Sequence, residues 1–101
     1  MKIEFLYFKE CPSYRAALDR LQKIVADWNL EAGIEKTEIF TQEGAKLHRF
    51  LGSPSIRIDG RDIERGEDYP GFTMSCRIYP DTGTGLPSEE MILKALKRKA
   101  G

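Results

Sequence analysis

The chain has 101 residues, of which 41% are hydrophobic and 32% charged, and this balance predicts one globular domain, residues 1–101, with a modest core. Lysines plus arginines and aspartates plus glutamates number 16 each, which removes the electrostatic argument for binding nucleic acid or an anionic membrane. No stretch approaches the roughly 20 apolar residues of a transmembrane helix, so we expect no nucleic-acid and no membrane partner.

Residues 3–15, IEFLYFKECPSYR, predict a buried strand that leads directly into a helix. Except for Glu4, residues 3–8 are apolar at odd and even positions alike, which is typical of a strand covered on both faces. Pro12 suits the first position of a helix. Cys11 is therefore expected at a helix N-terminus, where the dipole and free N–H groups favour the reactive thiolate. The alternative is a buried structural cysteine at a strand end.

The next predicted elements are a helix over residues 12–28 and a strand over residues 34–40. The helix has one apolar face, on which we expect Trp28 to pack in the core. The strand has a weaker pattern, which places it near the sheet edge. A second helix follows to about residue 51, with Thr41 as its N-cap and Gly52 just beyond its end. The single histidine, His48, is expected on the exposed side of this helix.

Residues 53–60, SPSIRIDG, predict a strand with one buried face that enters a hairpin. Asp59-Gly60 is a strong hairpin signal, because a type I′ turn needs positive φ at both central residues. Pro54 has no N–H for a sheet ladder, which suits a position just before the strand. The returning strand, residues 61–64, is short and polar.

The remaining elements are a loop over residues 65–75, a short strand over residues 76–79 and a final helix that Ser88 caps. Alternation puts Cys76 and Ile78 on one face of that strand. The order is β-α-β followed by α-β-β-β-α. This order predicts an α/β fold with a central sheet and helices on both faces.

Cys11 and Cys76 are the two cysteines of the chain. The N-terminal run KIEFLYFKE is broken by charges and lacks the pattern of a signal peptide, so we expect a reducing, cytoplasmic location. In that setting two cysteines are reactive or inert thiols rather than a permanent disulfide. The sequence has no CxxC motif and no Cys/His zinc spacing, so we expect no cofactor and no resident metal.

The sequence resembles the thioredoxin-like superfamily over essentially its whole length. The resemblance is carried by Cys11-Pro12 after a buried strand, by Ser53-Pro54 before a strand and by the Asp59-Gly60 hairpin. It implies a three-layer α/β/α fold with a mixed sheet of four to five strands, and a cis Pro54 beside the reactive cysteine. More narrowly, YFKECPSY, GSPSIRIDGRD and SCRIYP resemble a group of short thioredoxin-like proteins, some of which carry the name alkylmercury lyase.

The motif Cys11-Pro12-Ser13-Tyr14 departs from the CxxC of thioredoxins, so a dithiol cycle within this turn is excluded. Cys11 is then a monothiol, is resolved by Cys76, or does no redox chemistry. In the resembled fold the Asp59-Gly60 turn brings the following loop back towards Cys11, and Cys76 can approach it. If residues 76–79 pair with the strand instead, Cys76 lies roughly 13 Å away, beyond the limit of about 7 Å between the Cα atoms of a disulfide. We prefer the first arrangement.

The leading hypothesis is a thiol redox protein that exchanges disulfides with a protein or small-molecule substrate. Cys11 would be the nucleophile and Cys76 the resolving thiol. Arg15 or Arg77 would activate Cys11, and Ser53 and Pro54 would offer backbone groups to an extended substrate. The other substrate-binding candidates directly follow Cys11 in the sequence: Pro12, Ser13, Tyr14 and Arg15.

Three alternatives stay open. Two thiolates can bind a soft metal ion such as Hg(II) or Cu(I), or an organomercurial. Cleavage of a carbon–mercury bond would also need an acid, for which Glu10, Asp62 or Glu64 are the candidates. The chain can also be a non-catalytic binding module, because a fold does not imply a function. Finally, the spacing from Cys11 to Arg15 is similar to that in thioredoxin-fold arsenate reductases, in which the arginine helps to bind an oxyanion.

Overall fold

The continuous apolar strand and the alternating apolar strand lie side by side at the centre of a four-stranded mixed sheet. The structure, a computed structural model, describes residues 1–68 and 72–100. Its elements in chain order are β1 Ile3–Tyr7, α1 Tyr14–Asp27, β2 Ile34–Glu38, α2 Gln42–Leu47, β3 Ser55–Ile58, β4 Arg61–Asp62 and α3 Glu89–Ala100. The predicted α/β class is therefore confirmed.

The strand order is β2-β1-β3-β4. β1 is parallel to β2 and antiparallel to β3, so that Phe5 pairs with Lys36 on one side and with Ile56 on the other. β2 lies at an edge of the sheet, as its weak pattern predicted. The β3–β4 hairpin is confirmed as well, since Asp59 has φ 50° and Gly60 has φ 81°.

Helices cover both faces of the sheet. On one face, α1 and α3 pack on the alternate residues of β1 and β3, such as Ile3, Phe5 and Ile56. On the other face, Leu6 packs with Ala45 of α2. Because β1 contributes residues to both clusters, its side chains are apolar on both faces of the sheet.

Several predicted boundaries are wrong. α1 begins at Tyr14 rather than at Pro12, with Ser13 as its N-cap. α2 is capped by Thr41 as expected, but it ends at Leu47, because the chain turns through a positive φ of 50° at Arg49. Gly52 therefore does not end this helix. His48, at the C-cap of α2, is exposed as predicted.

The side chain of Trp28 is not in the core. It is 51% exposed, and the ammonium group of Lys97 lies 5.6 Å from its ring centroid. This position, at the C-cap of α1, allows the ring to cover apolar surface while it stays in contact with solvent.

Residues 76–79 do not form the predicted strand. They make isolated bridges instead, from Cys76 to Ser53 and from Tyr79 to Thr84. The predicted returning strand is also shorter, ending at Asp62. Residues 69–71, in the middle of the loop predicted over residues 65–75, lie outside the described residues. In the part of the chain that the structure describes, no helix is long and apolar enough to cross a membrane.

Candidate active site

Cys11 lies in the turn between β1 and α1, two residues before the N-cap Ser13. Its N–H donates to the carbonyl of Phe8 at 3.1 Å, which closes the turn after the strand. The side chain is 1% exposed, and its Sγ donates to the carbonyl of Ser53 at 3.3 Å. In this structure Cys11 is therefore buried and lies before the helix, rather than exposed at its first turn.

Ser53 is the residue on which the site converges. It is fully buried and is joined to Pro54 by a cis peptide bond, as the thioredoxin-like resemblance implied. Its N–H donates to the carbonyl of Ser75 at 2.9 Å, and its carbonyl accepts from the N–H of Arg77 at 2.8 Å. The main-chain groups that we assigned to a substrate from the sequence are thus occupied by the chain itself. The same carbonyl oxygen of Ser53 also accepts the hydrogen bond from the Cys11 thiol.

We call residues 73–77 the strap, because this segment lies along residues 50–53, which lead into β3. It is fixed by the two bonds to Ser53 and by the N–H of Thr73, which donates to the carbonyl of Phe50 at 2.8 Å. Gly52 makes this close approach possible. Its φ is +108°, and a Cβ at this position would lie 3.1 Å from the carbonyl oxygen of Ser75. Residue 52 therefore has to be glycine for the strap to lie where it does.

The strap brings Cys76 to Cys11. Cys76 pairs with Ser53 in a parallel bridge, and Ser53 is also the hydrogen-bond partner of the Cys11 thiol. Both cysteines are free thiols. Desolvation is the largest cause that raises the pKa of Cys76, followed by a side-chain hydrogen bond with Cys11 and the charge of Cys11.

The two cysteines differ in access to solvent. Cys11 is buried and Cys76 is exposed, so the site presents one outer and one inner sulfur. Of the two arrangements that the sequence allowed, the structure has the one in which the hairpin returns the chain to Cys11. The alternative, in which residues 76–79 pair with β3 far from Cys11, is wrong.

A buried ion pair lies directly beside Cys76 in the chain. The guanidinium of Arg77, a residue 7% exposed, donates to both carboxylate oxygens of Asp62 at 2.7 and 2.5 Å. It also donates to Glu64 at 2.8 Å and to the hydroxyl of Ser55 at 3.2 Å. Asp62 is 1% exposed, so this pair is shielded from water. Bidentate geometry makes it one of the strong types of ion pair.

Tyr79 completes the polar cluster. Its ring lies under the Arg77 guanidinium at 4.5 Å, and its hydroxyl donates to the carbonyl of Pro54 at 2.6 Å. Burial raises the pKa of Tyr79, and the smaller opposing effect of Arg77 does not cancel it. Burial alone would lower the pKa of Arg77, but hydrogen bonding to Asp62 and the neighbouring negative charges raise it. The cluster therefore contains a tyrosine that stays protonated and an arginine that stays charged.

The role of this cluster was not predicted from the sequence. Alternation correctly separated Cys76 and Ile78 from Arg77 and Tyr79, but it did not tell which pair is buried. Hydrophobicity alone would bury Ile78, yet Ile78 is 62% exposed. The signal that was available is the pair of acidic residues in the predicted polar strand, which Arg77 needs as partners.

The other predicted site residues surround the start of α1. Pro12 is exposed and Ser13 is half-buried. The ring of Tyr14 stacks on Tyr7 at 4.7 Å, and the exposed Arg15 lies 5.6 Å from the Tyr14 ring centroid. Arg77, the other expected activator of Cys11, has its guanidinium bound to the two carboxylates instead.

A cleft of about 450 Å³ lies against the outer side of the strap. It is lined by residues of the strap and of the loops that flank it: Leu51, Glu64, Arg65, Phe72, Thr73, Arg77 and Ile78. The cleft has both charged and apolar walls. Within residues 1–68 and 72–100, no group of three or more His, Cys, Asp or Glu side chains could hold a metal ion.

No protein-family model matches the chain, and searches of curated proteins and of solved structures found no significant match. The geometry of the thiols and their surroundings is therefore what indicates a function.

Proposed function

We propose that the chain is a thioredoxin-like thiol redox protein that exchanges disulfides through Cys76 and Cys11. The observation that carries the proposal is the pair of adjacent free thiols, of which one is exposed and one is buried. The mixed sheet with helices on both faces and the position of Cys11 beside Ser53-Pro54 support the thioredoxin-like assignment.

The structure favours a division of roles opposite to the one expected from the sequence. A thiol that is 1% exposed cannot reach the sulfur of an external disulfide, whereas Cys76 lies at the surface. We therefore assign Cys76 as the attacking thiol and Cys11 as the resolving thiol. Exchange requires only a thiolate with access to the substrate, so a histidine base is not needed.

The reaction proceeds in two exchanges. The Cys76 thiolate attacks one sulfur of the substrate disulfide, whose S–S bond breaks, and half of the substrate leaves as a thiolate. Cys11 then loses its proton to solvent and attacks the Cys76 sulfur, which forms the Cys11–Cys76 disulfide and releases the second half as a thiolate. The substrate gains two electrons, and the two protein thiols together lose two electrons and two protons.

Single serine variants treated with glutathione disulfide test this assignment by mass spectrometry. We expect Cys11→Ser to accumulate a glutathione adduct on Cys76, because the resolving thiol is missing. Cys76→Ser should react at least about tenfold more slowly, because its remaining thiol is buried. The wild-type protein should instead lose two hydrogen atoms and form an internal disulfide.

Circular dichroism of both variants is the control for folding. Faster labelling of Cys11 in Cys76→Ser than of Cys76 in Cys11→Ser would reverse the assigned roles. Two thiols that fail to react in folded protein would contradict redox function and leave a non-catalytic binding module.

The same pair of sulfurs favours a second function, the binding of a soft metal ion as cargo. Two adjacent thiolates suit ions such as Cu(I) or Hg(II), which prefer sulfur ligands. Cleavage of a carbon–mercury bond would also need an acid, but the carboxylates of Asp62 and Glu64 accept hydrogen bonds from Arg77. We therefore propose binding rather than lyase chemistry for this second function.

A thermal melt with one equivalent of Cu(I) under reducing conditions tests metal binding. The ion should raise the melting temperature of the wild-type protein, because it binds the folded site preferentially. Cys11→Ser and Cys76→Ser should each lose most of this shift. A shift in both variants as large as that of the wild-type protein would show that the ion binds elsewhere.

A further inference from the structure

Few side chains anchor the strap. Among residues 73–77, Thr73, Ser75 and Cys76 are exposed, Met74 is half-buried, and Arg77 alone is buried. Met74 packs beside the small cluster around Phe50. The main-chain bonds from the strap to Ser53 and Phe50 form no regular ladder with a strand. The position of Cys76 therefore depends strongly on the residue that follows it.

Arg77 is held by partners that are themselves fixed. Oδ2 of Asp62 also accepts the N–H groups of Glu64 and Arg65 at 3.0 and 2.9 Å, so the carboxylate cannot rotate freely. Asp62 belongs to β4 and pairs with Arg57 of β3. The guanidinium thus connects the strap to the sheet through two parallel hydrogen bonds.

We infer that Arg77 is a positioning residue, which through Asp62 holds the Cys76 sulfur against Cys11 and keeps Cys11 covered. The effect of Arg77 on disulfide formation rests on the proposed thiol exchange. Its effect on the position of the strap does not. A disulfide forms only when the two Cα atoms come within about 7 Å with a suitable orientation. The effective concentration of one thiol at the other depends on how narrowly the connecting segment is held.

Lysine cannot replace arginine in this role. Arginine presents a planar fork that matches both oxygens of a carboxylate, whereas lysine places one charge at the end of a flexible chain. Arg77→Lys keeps the charge of the buried site and removes the fork. A second variant, Arg77→Gln with Asp62→Asn, removes both charges together, so that no unpaired buried charge is left to unfold the protein.

Two variants serve as controls. Arg61→Gln removes an arginine from β4, the strand of Asp62. That arginine is exposed and pairs with Glu67, not with the strap. Ile92→Val loosens the main core at α3, where Ile92 is fully buried in a cluster that includes no residue of the strap. The second control shows what general destabilisation does to the thiols.

The first measurement is the equilibrium between the dithiol and the internal disulfide in glutathione buffers. Arg77→Lys and the double variant should each lower the effective concentration of the two thiols at least about tenfold. Arg61→Gln and Ile92→Val should leave it unchanged. Values in the Arg77 variants equal to the wild-type value would overturn the inference.

The second measurement needs no redox chemistry. In a Cys76→Ser background, the rate at which iodoacetamide labels Cys11 reports how often the strap leaves Ser53. This rate should rise at least about tenfold in both Arg77 variants, by more than in Ile92→Val at matched global stability. An equal rise in Ile92→Val would make Arg77 merely structural and would overturn the inference.

The two measurements separate the two ideas. If the wild-type protein forms no internal disulfide in any glutathione buffer, the proposed function fails, while the labelling of Cys11 still decides the role of Arg77. If the disulfide forms but neither measurement changes in the Arg77 variants, the positioning role fails and the proposed function stands.

Discussion

Two regions of the molecule hold a sulfur next to Ser53, and they do so by different physical means. The β1–α1 region, whose turn carries Cys11, is anchored by buried apolar side chains of its strand and helix, including Phe5 and Leu21, which pack in the main core. The strap holds Cys76 through hydrogen bonds and a buried ion pair. We therefore expect Cys11 to lose its position only when the core unfolds, whereas the strap, and Cys76 with it, can leave Ser53 while the core stays folded.

The largest expected effect comes from the apolar region. Leu21 of α1 is fully buried, so Leu21→Ala should lower the free energy of unfolding by about 2–5 kcal/mol. Because this residue supports the whole core, labelling of the buried Cys11 should begin at a lower urea concentration, in step with the loss of helix, whereas the exposed Cys76 is accessible before unfolding. Urea denaturation followed by circular dichroism and by thiol labelling would check this. A Cys11 labelling curve that does not shift together with the loss of helix in Leu21→Ala would contradict the comparison.

Gly52→Ala is the matching change at the strap. It introduces a side chain at φ +108° and 3.1 Å from the carbonyl of Ser75, and such strain costs about 1–3 kcal/mol. We expect faster labelling of Cys11 with little loss of helix at low urea. The control is Gly60→Ala, which also has positive φ, but whose Cβ would meet nothing within 4 Å. Similar labelling of Cys11 in both variants would remove the special role of the strap.

Tyr79→Phe should have a smaller effect. It deletes the hydroxyl that donates to the carbonyl of Pro54 and leaves that buried acceptor without this partner, which costs about 1–3 kcal/mol. The ring beneath Arg77 is kept, so the ion pair and the position of Cys76 should persist. Urea denaturation would then show a less stable protein with an unchanged glutathione equilibrium. A changed equilibrium would extend the positioning cluster to Tyr79.

The smallest effect is a pH dependence of the reduced protein. The pKa of Cys76 is raised in the folded state, so above the ordinary value of about 8.5 the unfolded chain loses this proton first. The folded state then binds more protons, and the free energy of unfolding falls as pH rises through this window. Urea denaturation between pH 8 and about 10 should show a steeper fall for the wild-type protein than for Cys76→Ser. Parallel curves would contradict the altered titration of Cys76.

The sequence predicted those parts of the fold that depend on local patterns. Apolar periodicity located β1, α1 and α3, and Asp59-Gly60 specified the hairpin, because both signals act within a few residues. The helix ends were less accurate. The end of α2 depends on a left-handed turn at Arg49, and neither the residue type nor its neighbours indicate such a turn.

The return of the chain that brings Cys76 towards Cys11 was predicted from the sequence, but the exposure of each thiol was not. Cys11 and Cys76 were singled out, yet which one is exposed depends on the strap, whose position is set by contacts between residues far apart in sequence. The buried pair of Arg77 and Asp62 illustrates the difficulty, since charged residues are usually exposed unless a partner is present. Their separation of 15 residues gives no local pattern to detect.

The exposed position of Trp28 has a practical consequence. It is the only tryptophan of the chain, and it lies at the C-cap of α1, whereas Cys11 precedes the N-cap of that helix. The 14 residues of α1 put roughly 21 Å between the two ends. Its emission should therefore report the packing of α1 against α3 and stay silent when the strap moves. The molecule thus carries separate optical and chemical reporters for its two regions, and neither requires an introduced residue.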